Sequence, residues 1–171
     1  MSEDSSRLRV LRVELPNHWH GSEESIWAMP LADNLYEIRN VPHMAYGLNF
    51  LDIVYAERRR GLPEPFVSCV VRHSGHRTLR CIFLGNLPED EQRPYLEDIA
   101  ALGGSFERAA PNYVCIDVHP AASMDAIEAQ LSRLEASGVL EYETCEERVA
   151  GSFDDAPEAT VAAAVGSLRN A

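Results

Sequence analysis

Between Leu8 and Val71 the chain never runs long before it meets a turn. Leu8 to Leu15 alternates apolar residues with arginines, and Ile26–Met29, Leu35–Arg39, Ile53–Glu57 and Phe66–Val71 are short β-branched or aromatic runs. Ala32-Asp33-Asn34, Asn40-Val41-Pro42, Tyr46-Gly47-Leu48-Asn49 and Gly61-Leu62-Pro63-Glu64-Pro65 punctuate them. A period of two bounded by Gly, Pro, Asn and Asp is the pattern of strands. About five such runs in about sixty residues, with no helical stripe among them, predict a small β-barrel or a strongly curled sheet.

The second half has a different rhythm. Thr78 to Leu84 reads as a strand with Leu79, Cys81 and Phe83 on one face. Pro88 opens a helix whose acidic first turn, Glu89-Asp90-Glu91, suits the positive end of the helix dipole. Tyr95, Leu96, Ile99 and Leu102 form its stripe, and Gly103-Gly104 ends it. Ser105–Arg108 and Tyr113–Val118 pair as a hairpin. Ser123 caps a second helix carrying Met124, Ile127, Leu131 and Leu134, Gly138 stops it, and Val139–Thr144 is the last strand. In order this is β-α-β-β-α-β, the ferredoxin-like plan. The expected fold class is therefore α+β, with a barrel-like unit over residues 7–72 packed on a ferredoxin-like unit over 73–148. Residues 149–171 read as an acidic, alanine-rich tail whose removal after Gly151 costs less than about 1 kcal/mol.

Charge narrows the function classes. The 171 residues carry 15 arginines, no lysine and 27 acids, for a net charge of -12. Nucleic-acid and membrane-surface binding are disfavoured, since both need a basic face. Lysine Schiff-base chemistry and a phosphate loop with its lysine are excluded. The polar start reads as no signal peptide, and no run approaches the roughly 20 apolar residues that span a bilayer. Cys69, Cys81, Cys115 and Cys145 are isolated in mostly apolar surroundings, so the expectation is four slowly reactive thiols in a cytoplasmic protein.

Four landmarks in order carry a family resemblance: Ser25-Ile26-Trp27-Ala28, Tyr36-Glu37-Ile38-Arg39-Asn40-Val41-Pro42, Gly47 with Leu51-Asp52-Ile53-Val54, and Ser74-Gly75-His76-Arg77-Thr78-Leu79-Arg80. From about Arg12 to about Glu147 the chain resembles a small bacterial family, domain of unknown function 4265. It departs at His43-Met44, where the family's pattern has aromatic residues. The resemblance implies a compact two-part protein and brings no activity with it.

His76, Thr78 and Arg80 are the leading site candidates. At alternate positions of a strand they share one face, and a titratable imidazole beside a guanidinium suits a carboxylate or phosphate. The structural alternative pairs Arg80 with a carboxylate such as Asp52 and uses His76 to cap a loop. Asp52 at a strand mouth and Asn40 before a loop complete the candidate ligand set, although both residue types commonly bond their own backbone. His18-Trp19-His20 reads as a solvated loop and not a metal site, which needs three or four ligands. Arg58-Arg59-Arg60 lies in a stretch from Asp52 to Arg80 with six arginines and three acids, a candidate positive patch. No nucleophile elbow or dinucleotide loop occurs, and no cofactor is expected. The expected function is a non-enzymatic binding, regulatory or accessory protein that takes an anionic small ligand or a partner protein at the seam of its two units. The alternative is a small lyase, isomerase or hydrolase with His76 as general acid/base, Arg80 as substrate clamp and Asp52 orienting the imidazole.

Overall fold

The computed structural model describes residues 7–19 and 21–155. Five strands form the first half: β1 (Arg9–Glu14), β2 (Glu23–Ala32), β3 (Leu35–Ile38), β4 (Ile53–Arg58) and β5 (Pro65–Arg72). Each pairs antiparallel with the next, and β1 meets β5 in parallel at Arg12 and Phe66, which closes the barrel. Closure removes the free edges that an open five-stranded sheet would present. Alternation fills the interior with Leu11, Val13, Ile26, Ala28, Ile38, Val54 and Ala56. The β3–β4 connection adds Ala45 and Leu48 to that core.

The second half holds β6 (Arg77–Phe83), α1 (Glu89–Ala101), β7 (Gly104–Ala110), β8 (Tyr113–Val118), α2 (Met124–Ala136) and β9 (Leu140–Thr144). Its strands lie in the order β7-β8-β6-β9, and all neighbours are antiparallel. Leu96 and Ile99 of α1 and Ile127, Leu131 and Leu134 of α2 pack on Leu79, Cys81, Phe83, Val114, Ile116 and Val118. The Ser123 hydroxyl accepts the Ala126 N–H, as its cap position predicts. Leu102, expected in the α1 stripe, is instead exposed at the helix end.

The α+β class with a ferredoxin-like C-terminal unit is corrected by this architecture. The chain is mostly β: a closed five-stranded barrel plus a four-stranded sheet with two helices. The physical reason lies on the second sheet face. A self-standing unit with helices on one side leaves its other face to solvent, whereas here Thr78, Arg80, Cys115 and Asp117 are buried. The β3–β4 connection supplies part of that cover, with the Leu48 and Ala45 carbonyls accepting from Thr78 and Arg80.

The expectation that the tail after Gly151 costs little to remove is corrected over residues 152–155; residues 156–171 lie outside the described residues. Ser152 and Asp154 are buried, the Trp19 N–H donates to the Asp154 carbonyl, and Arg148 Nε donates to both carboxylate oxygens of Asp154. The Phe153 N–H donates to Glu143 at 2.9 Å. Truncation after Gly151 is therefore expected to cost about 1.5–3 kcal/mol, the range for a hydrogen bond to a charged group. Chemical denaturation of the truncated chain checks this, and an unchanged midpoint would mean that the docked segment contributes nothing.

The cysteines divide. Cys81, Cys115 and Cys145 are buried free thiols whose pKa values burial pushes well up, whereas Cys69 is exposed on β5. The expectation of four shielded thiols is corrected at Cys69, because it sits on the outer face of a strand. Native thiol titration should label one cysteine rapidly and three only on unfolding; two rapid labels would contradict the core assignment.

Candidate functional site

The loop between β5 and β6 positions the candidate site. Asp52 is fully buried and accepts the Asn49 N–H at 3.0 Å and the Ser74 N–H at 2.8 Å, with His73 Nδ1 3.3 Å away. The Ser74 hydroxyl donates to the Phe50 carbonyl at 2.7 Å and accepts the His76 N–H at 3.1 Å. Gly75, at φ +89°, takes the left-handed turn, and a Cβ there would lie 3.4 Å from the Pro120 ring. This buckle carries Phe50 and His76 into one place.

His76 Nδ1 lies 2.8 and 3.0 Å from the two carboxylate oxygens of Asp117. Across the β6–β8 pairing Asp117 stands opposite Thr78, so the register delivers it to the histidine just before the strand. Burial pushes the Asp117 carboxyl up from its ordinary value, and its hydrogen bond to His76 opposes that rise. The Phe50 and His119 rings meet His76 edge-on, with centroids 5.4 and 5.3 Å away. These residues, with Gly103 and Ser105, line an open cleft of about 600 Å³. Gly103, at φ +95°, permits its floor: a Cβ there would lie 2.7 Å from Ala122 Cβ.

Arg80 belongs elsewhere. It is 1% exposed, donates to Glu143 at 3.1 Å and to the Ala45 carbonyl, and lies 4.5 Å from the centroid of the Tyr46 ring. The Tyr46 hydroxyl donates to Glu143, whose pKa is raised by burial against the lowering effect of the Phe153 N–H and Arg80. Above this cluster, buried Glu24 accepts the N–H groups of His43, Met44 and Ala45 at 2.5, 3.0 and 2.7 Å.

The five sequence candidates thus separate. His76 lines the cleft; Thr78 is buried, 3.5 Å from the Leu48 carbonyl; Arg80 is held in the seam by Glu143. Asp52 neither pairs with Arg80 nor orients His76, because its two oxygens are taken by the Asn49 and Ser74 amides. Asn40 accepts the Trp27 N–H at 2.6 Å and is a barrel residue outside the cleft lining. Of His18-Trp19-His20, His20 lies outside the described residues; no cluster of metal-ligating side chains occurs among those described. Arg59 of the basic run is paired with Glu14 and stacks on Phe66. Sequence reasoning missed Asp117, His119, Phe50, Glu143 and Glu24. Asp117 carried a usable signal, an acid inside an otherwise apolar strand run, Val-Cys-Ile-Asp-Val.

The class is now defined: a small barrel joined to a helix-backed sheet, with a histidine–aspartate cleft where they meet. The chain belongs to the family described as domain of unknown function (DUF4265), whose model matches residues 24–142. Among solved structures, a hypothetical protein from Neisseria gonorrhoeae is similar with a TM-score of 0.67 at 24% identity, over 80% of this chain and 92% of that one. At that identity the likeness is one of fold. No curated protein matches the chain. Among the described residues, no helix is long and apolar enough to cross a membrane.

Proposed function

We propose that the chain is a non-enzymatic binding protein of the cytoplasm, with regulatory or accessory use, that takes a small ligand in the cleft at the seam of its halves. The observation that carries this reading is His76: Asp117 fixes its Nδ1, while Nε2 has no hydrogen-bond partner among the described residues in a cleft lined by both halves. A cleft of about 600 Å³ falls in the size range of small-molecule sites. The anionic contact expected from Arg80 is not part of it, because that guanidinium is buried against Glu143. Four cysteines left as thiols support the cytoplasmic assignment.

A fragment screen by ligand-observed NMR tests the reading. The hits should compete with one another and be lost in His119→Ala, whose side chain is exposed, with an unchanged denaturation midpoint as the control for folding. Hits that survive this change and that of His76→Ala would place binding elsewhere and defeat the proposal. The enzyme reading retains one supporting observation: a carboxylate-oriented imidazole is the arrangement of a general base. Chemical conversion of a bound fragment, abolished in His76→Ala, would favour it.

A further inference from the structure

The two cleft histidines are fixed in opposite tautomers by their neighbours. His76 Nδ1 faces the Asp117 carboxylate and donates to it, so the neutral ring keeps its lone pair on Nε2. His119 Nδ1 accepts the Ala121 N–H at 3.1 Å; a backbone amide only donates, so the neutral ring carries its proton on Nε2. The cleft thereby offers one acceptor and one donor from adjacent rings. Its charge is unsuited to an anion: Asp117 is the acid beside it, and Ala101, Leu102 and Gly103 bring the negative end of the α1 dipole to its wall.

Resting on the cleft's role as the ligand site, we infer that it recognises a neutral ligand presenting a hydrogen-bond donor beside an acceptor, the edge of a lactam or primary amide. The ligand's donor bonds His76 Nε2, and its acceptor receives the hydrogen bond that His119 Nε2–H donates. Phe50, edge-on to His76, gives the ligand an apolar ring to lie against.

Imidazole ¹⁵N–¹H spectra of the intact protein test this with three probes: 2-pyridone, N-methyl-2-pyridone and benzoate. The free protein should show His76 as the Nδ1–H tautomer and His119 as the Nε2–H tautomer. 2-Pyridone should shift both rings, N-methylation should weaken it at least about tenfold by leaving the His76 acceptor unpaired, and benzoate should bind more weakly than 2-pyridone. The opposite tautomer at either ring, or benzoate acting at lower concentration than 2-pyridone, overturns the inference; in the latter case the cleft stands as a ligand site. Failure of all three probes to move either ring at millimolar concentration contradicts both the inference and the cleft's binding role.

Discussion

Arg80→Ala is expected to lose about 3–5 kcal/mol of stability, the cost of stripping one partner from a buried ion pair. The side chains of Arg80 and Glu143 are 1% and 10% exposed, so the variant leaves a carboxylate in the seam with little water to solvate it. Arg80→Lys should recover part of the loss at most, because an ammonium cannot serve Glu143 and the Ala45 carbonyl with a planar fork while lying over Tyr46. The deficit has a pH signature. Burial already raises the Glu143 pKa in the intact protein, and losing the Arg80 charge raises it further. A carboxyl with a raised folded pKa contributes its stability below the unfolded value and loses it as pH rises through the folded one. The gap between Arg80→Ala and the parent should therefore narrow on acidification. Denaturant melts at neutral and acidic pH check both points, and a loss under about 1 kcal/mol at neutral pH would show that Arg80 is not a strut.

Glu24→Ala should cost about 3 kcal/mol or more, for a different reason. Three consecutive amides, His43, Met44 and Ala45, lose their acceptor together, each at a cost of roughly 1–3 kcal/mol when left buried and unpaired. Glu24→Gln keeps one carbonyl oxygen and should fall between. The two sites are coupled, since the loop that Glu24 holds presents the Ala45 carbonyl to Arg80. Arg80→Ala with Glu24→Ala should then cost less than the sum of the single changes. Full additivity in equilibrium melts would mean that the loop does not transmit the contact.

Strand alternation and helix periodicity are local properties, which is why the nine strands and two helices among the described residues could be read from the sequence. Barrel closure rests on the parallel meeting of Arg12 with Phe66, 54 positions apart, and no local pattern encodes it. The second sheet face misled for a related reason. Thr78 and Arg80 look like a solvated polar face in a strand, yet they are buried because the β3–β4 connection supplies the Leu48 and Ala45 carbonyls and β9 supplies Glu143, all from far along the chain. His76 was legible as a candidate because a histidine after Ser-Gly is conspicuous. Its partner was not, since the choice of Asp117 over Asp52 depends on the β6–β8 register and on the buckle that commits Asp52 to Ser74.

A crystal structure of the protein soaked with the strongest fragment hit tests the proposal that the cleft beside His76 is the ligand site. Electron density is expected between Phe50, His76 and His119, within hydrogen-bond distance of His76 Nε2. Well-defined density at any other surface, with that cleft holding only solvent, would contradict it.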